Sequence, residues 1–186
     1  MIIHTALFAE AKEIINFFKL KKYEDKNFLI FSNKDIALII SGIGKINATM
    51  ALSHILTLFP EEKDIISIGI AAGKDRFNIA DLVNIKKIID LEEKKVFHLK
   101  KIYGIKNLTL CTSLYPQTNP KADIGDMEGS AIYQVAKKYK KDLTIFKIIS
   151  DSFNPQSIEK ESVDKLILKN INLINQFITN KKISQK

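Results

Sequence analysis

The sequence predicts an α/β fold, and three observations carry that prediction. Short apolar, β-favouring runs recur at Ile2 to Phe8, Ile36 to Ile40, Asp64 to Ile70 and Leu143 to Ile149, each too short for a helix. Stretches with apolar residues at helical spacing lie between them. The turns that follow the strands are built from glycine and other small residues, as in Ser41-Gly42-Ile43-Gly44-Lys45 and Ala71-Ala72-Gly73. In open α/β sheets, ligands gather beyond the carboxyl ends of the strands, so those turns are the first candidates for a site.

Taken in order, Ile2 to Phe8 reads as a buried strand and Glu10 to Phe18 as a helix with Ile14, Phe17 and Phe18 on one face. Glu10 and Glu13 near its start suit the positive end of a helix dipole, which is a sufficient local reason for both. Phe28 to Ser32 and Ile36 to Ile40 flank an Asn33-Lys34-Asp35 turn and read as a hairpin. The glycines of Ser41 to Lys45 let the chain turn sharply and approach a ligand closely, which makes Ile43 and Gly44 candidate contacts. A helix over Ile46 to Leu58 follows. After the strand Asp64 to Ile70, Ala71 and Gly73 offer the same close approach.

Leu82 to Ile89 and Leu108 to Thr112 read as strands, with Asp90 to Lys101 as a charged outer hairpin or loop. Leu114 to Ala122 carries Pro116 and Pro120 and reads as a loop that begins near Tyr115. Asp126-Met127-Glu128 leads into small residues and a helical pattern through Tyr139. The strand from Leu143 ends on Ser150-Asp151, and the turn Ser152 to Pro155 brings Phe153 toward the crevice. Ser157 opens a final helix in which Val163, Leu166, Ile167, Asn170, Ile171, Ile174 and Ile178 recur at helical spacing. The chain reads as one domain over residues 1–179 with a polar tail at 180–186.

Composition narrows the function classes. Across 186 residues, 46% are apolar and 27% charged, as in an ordinary globular domain. No run of about 18 apolar residues suggests a membrane span, and the N-terminus has no basic leader. The single Cys111 forms no internal disulfide, so a reducing cytoplasm is expected. The net charge of +8 rests almost wholly on lysine, with Arg76 the one arginine. A nucleic-acid binder would more often present arginine forks with interleaved aromatics; paired lysines at element ends read as solvated surface. His4, His54 and His98 have no partners at metal-ligand spacing, so neither metal nor cofactor is expected.

In one order along the chain stand Ala9-Glu10-Ala11-Lys12-Glu13 after a strand, SGIGKINA after a strand, GIAAG after a strand, DMEGSA opening a helix, and ISD closing the next strand. Together they resemble the nucleoside phosphorylase and nucleosidase superfamily, and within it the methylthioadenosine/S-adenosylhomocysteine nucleosidases and futalosine hydrolases. The resemblance covers Ile2 to about Asp151. It implies a three-layer α/β/α domain around a mixed, partly closed sheet. It also implies hydrolysis of the N-glycosidic bond of a purine nucleoside, a 5′-modified adenosine such as methylthioadenosine or S-adenosylhomocysteine, with release of the base, no cofactor and a homodimer as the family-level expectation; composition adds that no nucleic-acid or membrane partner is expected.

By that resemblance, Glu13 matches the residue that activates water and Asp151, after Ser150, the proton donor to the purine. Met127 and Glu128 match the pair that holds the ribose, and Tyr115 is the candidate base-stacking aromatic. The chemistry needs such groups: departure of the base leaves an oxocarbenium-like sugar, an acid relieves the leaving-group charge, and carboxylates favour the cation. Each also has a bland reading. Glu13, Glu128 and Asp126 suit helix starts, Asp151 suits a turn cap, Met127 suits a core and Tyr115 a loop surface.

The sister activity, phosphorolysis, needs an arginine fork for phosphate. No arginine follows the first strand, and lysine cannot supply that fork, so water is the better acceptor. A non-catalytic nucleoside-binding protein is the other alternative. Relative to the family, Ile70 replaces a hydroxyl residue, and the chain is shortened between Gly73 and Asp126.

Overall fold

The computed structural model describes residues 1–119, 121–154 and 160–183. Among the described residues, ten strands and four helices run β1 (Ile2–Thr5), α1 (Phe8–Phe17), β2 (Lys21–Tyr23), β3 (Leu29–Ser32), β4 (Ala37–Ile40), α2 (Lys45–Leu58) and β5 (Asp64–Gly73). They continue with β6 (Leu82–Asp90), β7 (Lys95–His98), β8 (Lys106–Thr112), β9 (Ile124–Asp126), α3 (Gly129–Lys138), β10 (Asp142–Asp151) and α4 (Lys160–Ile183). The expected helix start at Ser157 and the end of the polar tail lie outside the described residues.

The strands form one mixed sheet in the order β10-β6-β8-β9-β5-β1-β4-β3-β2. Because β10 also pairs with β5, in parallel from Asp142↔Asp64 to Asp151↔Ala72, five strands close into a ring, β1, β4, β3 and β2 form an open wing, and β7 pairs with β6 off this path. β5 and β10, ten residues each, are the shared spine. The charged segment, expected as an outer hairpin or loop, turns back as β7 and pairs antiparallel with β6, Lys87 of β6 opposite His98.

The wing is covered on both sides because successive strand residues point to opposite faces. Ile3, Leu38, Ile66 and Phe146 pack against Ala11 and Ile14 of α1 and Ile167, Ile171, Ile174 and Ile178 of α4. Their neighbours Ile2, Ile39 and Ile65 pack the other way, on Ala48, Leu52 and Ile55 of α2 and Ile132, Val135 and Ala136 of α3. A third cluster, with Val83, Ile85, Leu110, Ile124, Ile145 and Ile149, fills the ring. This is the three-layer α/β/α architecture with a partly closed sheet.

Two boundaries bear on the site. β1 ends at Thr5 and α1 begins at Phe8, earlier than the run of apolar residues suggests. Glu10 is therefore in the first turn of α1, and Glu13 lies one turn further on. At the same edge of the sheet, β10 carries a bulge between Ile149 and Asp151. In a regular strand Ser150 and Asp151 would face opposite ways; a bulge re-aims side chains, and here both border one cavity.

Candidate active site

A cavity of about 240 Å³ opens where β1, β5 and β10 end. Its walls come from Ala6, Leu7 and Glu10 after β1, from Ile43 in the turn before α2, and from Ile70 to Ala72 of β5. Pro116, Gln117, Gly125 to Glu128, Ser150 and Asp151 complete it. Four carboxyl side chains thus border one apolar pocket, and among the described residues no basic one is in its lining.

Glu10 is held by backbone amides. Its Oε2 accepts from Ala6 N (2.8 Å) and Leu7 N (2.9 Å), and its Oε1 accepts from Ile70 N (2.9 Å). A carboxylate has about four lone-pair sites, so among the described residues one on Oε1 stays open. Burial raises the Glu10 carboxyl above the ordinary range, against the pull of Lys147 and the three amides. Gly69 makes room for it: a Cβ there would lie 2.9 Å from Glu10 Oε1 and 3.4 Å from Lys147 Nζ.

Glu128 stands at the N-cap of α3 and accepts the Gly44 amide at 2.7 Å on Oε1. Gly44 has φ +98°, a left-handed conformation that favours glycine and turns its N–H toward Glu128. Burial pushes the Glu128 carboxyl up to about 7; Lys147 and the Gly44 amide oppose that, while Asp126 and Glu10 reinforce it. Asp126 accepts Thr112 Oγ1 at 2.7 Å and the Gly129 amide at 2.9 Å, capping α3.

Beneath these acids lies Lys147, 3% exposed, at the middle of β10. Its Nζ is 2.9 Å from Asp126 Oδ2. Burial alone would depress its ammonium, but Asp126, Glu128 and Glu10 outweigh burial and raise it. His4, between Ser67 Oγ (3.3 Å) and Ser41 Oγ (3.0 Å), is the reverse case: burial first, then Lys147, lowers it to about 3, so it is neutral.

Asp151 is buried and fixed at both oxygens. Oδ2 accepts the Ser150 hydroxyl at 2.7 Å, and Oδ1 accepts the Asn154 amide at 2.8 Å.

Among the residues singled out from the sequence, Asp151, Met127, Glu128, Ser150, Ile43 and Ala71 line the cavity. The others are placed differently. Glu13 lies outside the lining, because the earlier start of α1 gives the inward first-turn position to Glu10. Tyr115 is 77% exposed; its loop turns Pro116 and Gln117 inward instead. Phe153 is buried behind the wall, with its Cε1 2.9 Å from where a Gly125 Cβ would stand. Gly73 serves packing, since a Cβ there would meet Ile149 Cγ2 at 3.0 Å. Gly44 acts through its amide on Glu128 rather than on the cavity.

Sequence reasoning passed over Glu10, Asp126, Lys147 and Gln117. The signal for Lys147 was a lysine inside the apolar run Leu143 to Ile149, a position that demands a buried partner. Among the described residues, no group of three or more His, Cys, Asp or Glu is arranged to hold a metal ion.

No family model matches the sequence. The 5′-methylthioadenosine/S-adenosylhomocysteine nucleosidase of Buchnera aphidicola subsp. Acyrthosiphon pisum (strain Tuc7) is 30% identical over 214 residues, covering 86% of this chain and 92% of that protein. Among solved structures, the nucleosidase MTAN of Chlamydia trachomatis bound to MTA superposes with a TM-score of 0.80 at 18% identity, covering 96% of this chain and 97% of that one. A Helicobacter pylori MTAN mutant with 5′-methylthioadenosine in its active site gives a TM-score of 0.80 at 13% identity, covering 97% of both chains. At such identities the two structures establish the shared fold.

Proposed function

Since the chain belongs to the 5′-methylthioadenosine/S-adenosylhomocysteine nucleosidase family, we propose that it hydrolyses the N-glycosidic bond of a 5′-modified adenosine and releases the base. Methylthioadenosine and S-adenosylhomocysteine are the substrates this reading names. The observation that carries it is the convergence of Glu10, Asp126, Glu128 and Asp151 on one apolar pocket whose lining, among the described residues, has no cation.

The roles follow from charge and position. Breaking the bond leaves positive charge on the sugar and negative charge on the departing purine. Glu128, oriented by the Gly44 amide, accepts hydrogen bonds from the ribose hydroxyls, and Met127 packs on the sugar. Glu10, with one lone-pair site of Oε1 free, takes the proton of the attacking water. Asp151, oriented by Ser150 and Asn154, delivers a proton to the leaving base. Carboxylates in a site with little water stabilise the cationic sugar as its charge develops. Lys147 keeps this concentration of acids tolerable from below without offering its ammonium to the cavity.

Water is the better acceptor than phosphate on the same ground. A phosphate dianion would enter a lining of four carboxyl groups, and the single arginine, Arg76, pairs with Asp123 at 2.5 Å outside it. The reading also includes a homodimer in a cytoplasmic setting. α2 presents Ile46 (72% exposed) and Met50 (50%) to solvent next to Ile43 at the cavity, an apolar stripe suited to a second copy. The one cysteine, Cys111, is buried and free, which suits a reducing compartment.

The test is base release from methylthioadenosine, S-adenosylhomocysteine, aminofutalosine, adenosine and inosine, with and without phosphate. Release from the 5′-modified adenosines without phosphate is expected. A requirement for phosphate would make the protein a phosphorylase, and binding without release would make it a nucleoside-binding protein.

A further inference from the structure

Outside the cavity, three charged side chains join the segments that build its walls. Lys45, the first residue of α2, places Nζ 2.7 Å from Asp90 Oδ2 and 2.6 Å from Glu92 Oε2. Asp90 ends β6 and is fully buried; its Oδ2 also accepts the Ser130 hydroxyl at 2.5 Å, and its Oδ1 the Glu93 amide at 2.9 Å. Glu92 accepts the Leu114 amide at 3.0 Å on Oε1.

Each tie reaches a different wall. Lys45 follows Gly44, whose amide holds Glu128, and Ile43, which lines the cavity. Ser130 lies two residues after Glu128 in the first turn of α3. Leu114 begins the loop that carries Pro116 and Gln117 inward. One ammonium therefore holds the Gly44 turn, the start of α3 and the 114–117 loop in mutual register, while touching none of the lining itself. Removing it leaves Asp90 as a buried carboxylate without its cation, so the segments must part to admit water.

We propose that Lys45, with Asp90 and Glu92, is a positioning clamp that sets the Glu128 carboxylate and the Pro116–Gln117 wall for the reaction. The inference rests on the nucleosidase reading for its kinetic consequences. Lys45 and Glu92 are positioning residues: they act through the Gly44 amide and the Leu114 amide.

The test uses the full chain with three variants: Lys45→Met, Lys45→Arg and Glu92→Gln. Lys45→Met keeps the stem and removes the charge; kcat/KM for base release is expected to fall on the order of 10–100-fold, mostly in KM, as misplaced binding groups do. Lys45→Arg, which can still bridge two carboxylates, restores most of that loss. Glu128 faces Lys147, Asp126, Glu10 and the Gly44 amide; loosening that amide moves the acid limb of the pH profile to higher pH in Lys45→Met. A role in stability alone would lower the active fraction without moving the profile or the KM.

Glu92, at the solvent edge, guards against a Lys45→Met variant that does not fold: Glu92→Gln is expected to raise KM several-fold with kcat kept. Hydrogen exchange gives a readout independent of turnover, with the Leu114 amide losing protection in Glu92→Gln and the Gly44 and Leu114 amides in Lys45→Met. If wild type releases no base, the nucleosidase reading fails while exchange still decides the clamp. Unchanged exchange, KM and pH profile in folded variants would overturn it.

Discussion

Replacing Lys147 by methionine isolates the buried cation on which the cluster of acids depends. Methionine keeps the unbranched stem, so little cavity results. Its loss leaves Asp126, Glu128 and Glu10 without the ammonium that lies 2.9 Å from Asp126 Oδ2. Removing one partner of a buried pair costs about 3–5 kcal/mol. Asp126 keeps its bonds to Thr112 Oγ1 and the Gly129 amide, which sets the expected loss at ~3 kcal/mol at about pH 8. For a chain of this length that is a fall in Tm of about 6–12 °C.

The loss depends on pH, and its sign follows from the same charges. Without Lys147 the carboxyls of Glu10 and Glu128 rise further, the native state binds more protons than the unfolded chain, and stability declines as pH rises. Acid therefore relieves the variant, and the gap to wild type narrows by at least ~1 kcal/mol at about pH 5. Denaturant unfolding of both proteins at the two pH values measures this. A gap under ~1 kcal/mol at about pH 8, or one independent of pH, would refute the claim that Lys147 balances these acids.

Three further outcomes follow from the same geometry. Glu10→Gln should abolish base release, whereas Glu13→Gln, outside the cavity, should leave it within about twofold, read as initial rates side by side. Gly69→Ala places a methyl 2.9 Å from Glu10 Oε1; activity should drop on the order of 100-fold, with a stability loss of about 1–3 kcal/mol by calorimetry. In wild type the Glu128 carboxyl is raised from 4.5 to about 7. Its contribution to stability is complete below about pH 4.5 and is lost as pH rises through about 7, a fall on the order of 3 kcal/mol that Glu128→Gln should flatten in pH-dependent unfolding.

Much of the architecture is legible in the sequence because its strands are short apolar runs closed by small residues. Ile2 and Ile3 already carry the alternation that feeds two helical layers. The strands that escaped notice, Lys21–Tyr23 and Ile124–Asp126, are three residues long and lack any apolar run. The site was less legible for local reasons. Phe8 continues an apolar stretch but belongs to α1, and that shift exchanges Glu10 for Glu13 at the inward position. The bulge before Asp151, which turns Ser150 and Asp151 into the same cavity, has no sequence signature. Tyr115 was the obvious aromatic of its loop, but loop direction is set by distant ties such as Leu114 to Glu92.

Acids gathered around one sugar–base bond, with water as the acceptor, define the proposed reaction. Adenine release from methylthioadenosine in phosphate-free, chelated buffer tests it most directly, with wild type beside Asp151→Asn. Steady release by wild type and none by a folded Asp151→Asn is the predicted result. No release by wild type until phosphate is added, or equal rates for the two proteins, would contradict it.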